Sequence, residues 1–383
     1  MSEIEPISTI AVDTAVKSKA VQGRSLGSLA FARLRRNKAA LVSMVVLVIV
    51  AAFCFIGPLF NQHGYAEVYP SYVAVPPSLS PYPHEDTLQP VMQLAVERGR
   101  AHLDSFDVDG TTYTAVISAD KPIDPRVIRY LDRPDEFDGG KITETKNDGK
   151  TAVVTGQING QYFLLGTDRN GRDMLARIMV GGQISLMVGI MATIVSLLIG
   201  VVYGAISGYL GGQIDNLMMR FVEILYSLPF VFFVIMLVVF FGRHIVLIFI
   251  AIGAINWLDM ARIVRGQTLA IKRREFVGAA VAMGLSNRQI ILSHIIPNTI
   301  GPVVVFVTLL VPQVILLESF LSFLGLGVQE PLTSWGLLIA EGAGAIEAST
   351  WLLLYPAILF VVTLTALNFI GDGLRDAFDP KDR

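Results

Sequence analysis

The sequence predicts an all-α polytopic membrane protein with six transmembrane helices and a small α/β insert outside the membrane. Three observations lead there. Hydrophobic residues make up 53% of the 383 and charged residues only 16%, with a mean hydropathy of +0.58, outside the range of soluble domains. Six runs approach the roughly 20 apolar residues a helix needs to cross the hydrocarbon core, at 39–60, 184–206, 221–241, 245–264, 300–317 and 351–370. Lysine and arginine collect beside alternate ends of those runs.

Residues 1–38 read as a polar tail closed by Arg33, Arg35, Arg36 and Lys38. The run at 39–60 is too long for the apolar stretch of a signal peptide, and Gly57-Pro58 is no cleavage site, so it is expected to remain as an anchor. Cys54, the single cysteine, lies inside it and leaves no intrachain disulfide possible.

Residues 61–177 form the expected insert. Pro70, Pro76, Pro77, Pro81, Pro83 and Pro90 favour extended chain at its start. Asp124-Pro125 has the character of a helix start leading to residue 131. Asp109-Gly110 separates two stretches of strand character, and Asn159-Gly160 between 151–158 and 161–165 has the pattern of a hairpin. On the residues alone, a solvated, partly ordered loop stays open as the alternative.

Residues 178–375 hold the remaining five spans, the fourth interrupted by Asn256, Asp259 and Arg262. The connection at 265–298 carries Arg265, Lys272, Arg273, Arg274 and Arg288 against Glu275, whereas the connection after the fifth span carries Glu330, Glu341 and Glu347 and no base. Positive charge marks the cytoplasmic side, so both termini, the tail 376–383 included, and the basic connection are expected there.

Within that connection Phe276, Ala279 or Ala280, and Met283 share a helical face. Gly284 suits a left-handed helix end, Ser286 with Gln289 forms a capping-box pattern, and Pro297 is expected to break the chain before the fifth span. Such a helix-turn-helix fits a groove on a partner protein, or equally an amphipathic helix lying on lipid.

Ionisable residues in spans are costly and mark candidate sites. Arg220 with Glu223, and Asp259 with Arg262, have the spacing of helical-face ion pairs. Glu318 ends the fifth span beside Gly325 and Gly327 and is a candidate pathway or gate residue, with a buried, hydrogen-bonded carboxylate as the rival reading. Gly189, Gly200, Gly204 and Gly208 allow close helix approach, for motion or for static packing. Enzymatic classes fail: Gly149-Lys150-Thr151 lacks the first glycine of a phosphate loop, since position 144 is Glu144. The five histidines show no metal-ligand spacing and no nucleophile elbow is present. No catalytic or metal-binding residue is expected.

The run from Phe276 through Gly278, Ala279, Ala280 and Met283 to Gly284, followed by Ile295-Ile296-Pro297-Asn298, resembles the EAA loop of bacterial ABC importer permeases. Residues 165–175 (LGTDRNGRDML), 318–328 (ESFLSFLGLGV) with Ser334-Trp335-Gly336, and 371–380 (GDGLRDAFDP) resemble the C-type subunits of its dipeptide and oligopeptide branch. The likeness covers 165–383 closely and 30–60 loosely. It implies a type I importer permease fold in a bacterial inner membrane. It also implies a second homologous permease, two cytoplasmic ATPase subunits that bind the ATP and magnesium, and a periplasmic solute-binding protein. The family couples to its ATPases through this loop; its usual glutamate is replaced here by Gly278. This chain is then expected to bind no cofactor and no nucleic acid, and to form half of a path for peptide-like solutes. An ion-gradient-driven secondary transporter is the alternative; it requires broken helices with mid-membrane carboxylates.

Overall fold

A computed structural model describes residues 26–378 apart from Arg243; the tail residues 1–25 and 379–383, with Asp379 and Pro380 of the C-terminal motif, lie outside it. Helices α1 (Leu26–Leu34) and α2 (Lys38–Ile56) open the described chain. The Asn37 side chain accepts the Ala40 N–H at 3.2 Å and so caps α2, and a 3-10 turn at Gly57–Leu59 ends it.

The proline-rich stretch is not extended throughout. Helix α3 (Glu85–Arg98) contains Pro90, because Leu88, Met92, Ala95 and Val96 recur on one face that is buried. The strands β1 (His102–Asp109) and β2 (Thr112–Ser118) follow, then the short α4 (Ile128–Leu131), β3 (Phe137–Lys146) and β4 (Thr151–Ile158). They pair antiparallel in the order β1-β2-β4-β3. Alternate residues Tyr113, Ala115, Ile117, Ala152 and Val154 face α3 and α4 and close a core with Leu131 and Phe137.

Asn159-Gly160 is not a hairpin turn. The turn joining β3 to β4 is Asn147-Asp148-Gly149-Lys150, three of whose residues have positive φ, and β4 ends at Ile158. Gln161 bonds back to Tyr82 through both backbone groups, at 2.8 and 2.7 Å, because fully buried Phe163 is drawn into a cluster with Tyr72 and Tyr82. Asp124 does cap a short helical start, accepting the Arg126 N–H at 2.9 Å.

The remaining helices are α5 (Met174–Leu210), α6 (Gly212–Ser227), α7 (Phe230–Phe241), α8 (Ile245–Ile271), α9 (Glu275–Ala282), α10 (Asn287–Ile290), α11 (Ile296–Phe323), α12 (Trp335–Ala343) and α13 (Trp351–Phe378). Among the described residues, four stretches are long and apolar enough to cross a membrane: Lys38–Leu59, Met174–Leu210, Asn287–Phe323 and Trp351–Phe378. A fifth is added if α6 and α7 count as one span. The run expected as one helix over 221–241 is broken there by a bend of 81°. Pro229 imposes it: Leu228, the residue before proline, is extended with ψ 127°, and α7 restarts behind the proline.

Pro297 does not break the chain. A π-helical turn, Ile291–Ile295, carries α10 directly into α11, and Pro297 sits in the first turn of α11, where its missing N–H leaves no bond unmade. The helix α5 packs on α8 through Gly200, Gly204 and Gly208, where a Cβ would fall 2.5 Å from Met260, 2.4 Å from the Ala261 carbonyl and 2.9 Å from the Arg265 carbonyl. Helix backbones approach this closely only over residues without side chains.

The bundle has two distinct ends. At one, Ala30 and Leu34 of α1 cluster with Ala40 and Ala377, and Gly301 of α11 lies against Phe378. At the other, Gly166 lies against Trp351, and the segment after β4 meets the connections on either side of α12, through Arg172 with Glu330 and Arg169 with the Gly344 carbonyl.

Candidate functional site

At the first end, α9 folds against the cut ends of three long helices. Val277 and Ala280 are buried with Ile290, Ile291 and Ile295, in one cluster with Ala205 and Tyr209 of α5, Met260 and Val264 of α8, and Val303 of α11. The opposite side is open: Phe276, Val281 and Met283 are 42%, 56% and 71% exposed. Of the residues expected to share a contact face, Phe276, Ala279 and Met283 are therefore exposed, while Ala280 faces inward.

The end of α9 is closed by geometry that only a few residues permit. Gly284 has φ +81°, its N–H donates to Val281 O at 3.0 Å, and the Leu285 N–H donates to Ala280 O at 3.2 Å. That double bond pattern is a Schellman motif. The Ser286 hydroxyl accepts the Gln289 N–H, and the Gln289 side chain accepts the Ser286 N–H at 2.9 Å, completing the capping box. At Gly278 a Cβ would meet nothing within 4 Å.

Polar contacts tie this loop to the bundle. Lys272 donates to the Tyr209 carbonyl at 2.5 Å and lies over its ring, and the Tyr209 hydroxyl meets Asn287 Oδ1 at 3.5 Å. Asp215 of α6 accepts from Ser207 at 2.5 Å and from Arg265 of α8. Sequence reasoning missed these residues; Asp215 and Arg265 are 50 positions apart and carry no local signal. Arg220 and Glu223 do pair, at 3.1 Å on the surface. Asp259 and Arg262 do not: among the described residues Arg262 makes no ion pair and lies 4.3 Å from the centre of the Tyr226 ring.

At the other end Glu318 is fully buried and lines no open path. Its carboxylate accepts from Ser322 at 2.7 Å and from Ser185 of α5 at 3.3 Å, beside Ser334, the N-cap of α12. These hydroxyls supply the donors that a buried carboxylate requires. Gly327 folds over them so tightly that a Cβ would fall 2.0 Å from Ser322 Oγ, while Gly325, with φ +73°, makes the turn that brings it there. The connection 324–334 thus forms a lid over Glu318, and the buried Trp335 of α12 fixes it by donating to Ile178 O at 3.0 Å.

Next to this lid lies an ion network that the motif at 165–175 foreshadowed without revealing its partners. Arg172 donates to Asp168 at 2.7 Å and to Glu330 at 2.8 Å; Arg177, 1% exposed, bonds Asp168 and, at 2.8 Å, Glu341. Three carboxylates and two guanidiniums thereby join the start of α5 to α12 and to the connection before it. The break at Leu228-Pro229 would suit an ion-driven carrier, but residues 227–242 hold no carboxylate, and the nearest, Glu223, is exposed and paired.

Comparison with known proteins adds a consistent pattern. The family described as "binding-protein-dependent transport system inner membrane component" matches residues 200–383, and that described as "N-terminal TM domain of oligopeptide transport permease C" matches 25–90. The oligopeptide transport system permease protein OppC of Escherichia coli K12 is 47% identical over 363 residues, 95% of this chain and 94% of that protein. OppC of Salmonella typhimurium is 63% identical over 235 residues, 61% of this chain and 77% of that protein. The dipeptide transport system permease protein DppC of Bacillus subtilis is 48% identical over 219 residues, 57% and 68% of the two chains.

Proposed function

The chain belongs to the family of binding-protein-dependent transport system inner membrane components, in its oligopeptide permease C branch, and on that premise we propose how it moves solute. It is a permease subunit of an ABC transporter, and its cargo is peptides or peptide-like solutes. It forms half of the path, a second homologous permease the other half. Two cytoplasmic ATPases bind the ATP and magnesium and do the hydrolysis, a periplasmic binding protein delivers cargo, and this chain carries no catalytic group.

Six crossings fit this reading: the four long stretches, the bent pair α6 and α7, and the 27-residue α8. The end bearing α1, α9 and the close of α13 then faces the cytoplasm, the basic side, and the sheet β1–β4 with α3 stands in the periplasm.

The observation that carries the coupling role is the two-faced α9. Phe276, Val281 and Met283 offer an apolar edge to a partner while Val277 and Ala280 are locked into the ends of α5, α8 and α11. ATPase closure that displaces α9 would move those three helices as one body, which is how rocking between two packings is driven. At the periplasmic end the turn at Gly325 and Gly327 is the candidate gate segment, with buried Glu318 as the polar anchor on which it closes. A lipid-lying role for α9 is less favoured, since Gly278 and Ala279 interrupt its exposed apolar residues while Val277 and Ala280 are buried against the bundle.

The test is to extract the tagged chain gently from its native membrane and identify what co-purifies in fixed stoichiometry. Two ATPase chains and a second permease are expected. A chain recovered alone, with uptake sensitive to ion gradients and not to ATP depletion, would overturn the proposal.

A further inference from the structure

Glu136, at the turn leading into β3, is 5% exposed, yet its Oε2 has no hydrogen-bond partner. Buried carboxylate oxygens are almost always satisfied, so an orphan of this kind marks a place where something with donors belongs. Glu136 lines a cleft of about 600 Å³ between α3, the 70–71 segment and the turn at 133–136. Val91 and Leu94 of α3 form an apolar wall. Arg98 and Arg133 stand at the rim, exposed, and neither makes an ion pair among the described residues. Asp135 lines the same cleft and is engaged by Ser71, accepting its N–H at 3.0 Å while its own N–H reaches Ser71 Oγ at 3.3 Å; these bonds hold the turn that carries Glu136.

A lone water would satisfy one oxygen but would leave unexplained why two exposed guanidiniums, neither ion-paired among the described residues, line the same cleft as this buried carboxyl group. The arrangement is dipolar: a buried acceptor at the base, two bidentate-capable cations at the mouth, and apolar surface between. We propose that this cleft binds a short peptide, its terminal ammonium on Glu136, its carboxylate on Arg98 and Arg133, and a side chain against Val91 and Leu94. The proposal rests on the reading that the chain serves peptide transport, and it places a capture site in the periplasmic unit, away from the membrane path. Burial also holds the Glu136 carboxyl above the usual carboxylate range, so a ligand ammonium would pull it back toward the ionised form.

The experiment is equilibrium dialysis of trialanine against the purified full chain in detergent, with no other subunit present. Trialanine is expected to bind, N-acetyl-trialanine at least tenfold more weakly, and Glu136→Gln is expected to lose at least tenfold for trialanine. The rim supplies a variant that does not threaten the fold: Arg98→Ala with Arg133→Ala should weaken trialanine by a similar factor and leave trialanine amide unchanged. Absent binding, or binding indifferent to acetylation and to both variants, overturns the site. ATP-driven trialanine uptake by native membranes is followed in parallel. Intact ATP-dependent uptake with no binding by the isolated chain refutes the cleft alone, whereas uptake indifferent to ATP refutes the transport reading beneath it.

Discussion

Arg265 of α8 grips Asp215 of α6 with both arms of its guanidinium, Nε to Oδ1 and Nη2 to Oδ2 at 2.6 Å each. The pair joins the first half of the bent span to the helix that bears α9, and the Asp215 side chain is only 9% exposed. Removing one partner of a fully buried pair costs about 3–5 kcal/mol; with Arg265 a third exposed, about 2 kcal/mol is the better expectation. Arg265→Ala should lower the thermal midpoint of the detergent-solubilised chain accordingly. Arg220→Ala, which breaks a pair exposed on both sides, should change it by less than about 0.5 kcal/mol. Equal effects from the two would disprove the ranking.

Arg177 carries a heavier load, because its guanidinium is 1% exposed and serves Asp168 and Glu341 together. Arg177→Met keeps the volume but strips Asp168 of one of its two cations and removes the ionic tie between α5 and Glu341 of α12. The expected loss is about 3 kcal/mol, read as a drop in folded yield after extraction. Glu330→Gln, at the half-exposed edge of the same network, should be nearly silent.

The two glycines of the α9 region should answer differently to substitution. Gly284 has φ +81°, so Gly284→Asp strains the turn by roughly 1 kcal/mol, too little to unfold the chain but enough to shift the docking edge. ATP hydrolysis without matching uptake is the expected result, with the chain still in the membrane; normal solute-stimulated uptake would count against the coupling role. Gly278→Glu restores the residue usual in the family, and its Cβ enters open space. Uptake at or above the parent's level is expected, and a collapse of expression would contradict the open geometry.

What was legible in the sequence was what short-range chemistry decides. Gly284 and the Ser286-Gln289 box were readable because left-handed φ and cap bonds are settled within four residues. The bend at Leu228-Pro229 was equally local, but apolarity continuous across the proline concealed it. Prolines likewise hid α3, although Leu88, Met92, Ala95 and Val96 already had helical spacing. Asn159-Gly160 misled for the opposite reason: a strong turn signal yielded to the burial of Phe163, a contact made across the chain with Tyr72 and Tyr82. Asp168 with Glu341 and Asp215 with Arg265 had no signal, since nothing local distinguishes an arginine that orients a span from one that bridges two helices.

His63 should make the junction between the sheet-bearing unit and α5 sensitive to pH. It is 7% exposed, stacked on Phe163 at 4.9 Å, with Nε2 2.9 Å from Gln161 Oε1 and Nδ1 3.7 Å from Asp173, the residue that caps α5. Contact with the Asp173 carboxylate, opposed by burial and assisted by Gln161 and Glu67, holds its pKa above the ordinary 6.5. The folded chain therefore binds a proton more tightly than the unfolded chain, and stability falls as pH rises. The contribution is fully present below about pH 6.5 and is lost as pH climbs through the raised folded value. Hydrogen exchange over residues 161–174, corrected for its intrinsic pH dependence, should accelerate between pH 6 and pH 8 in the parent. His63→Gln keeps a polar, hydrogen-bonding side chain that does not titrate, so the same segment should then exchange at a rate flat across that window. A parent segment that stays equally protected at both pH values would show that Asp173 caps α5 without help from a charged imidazole.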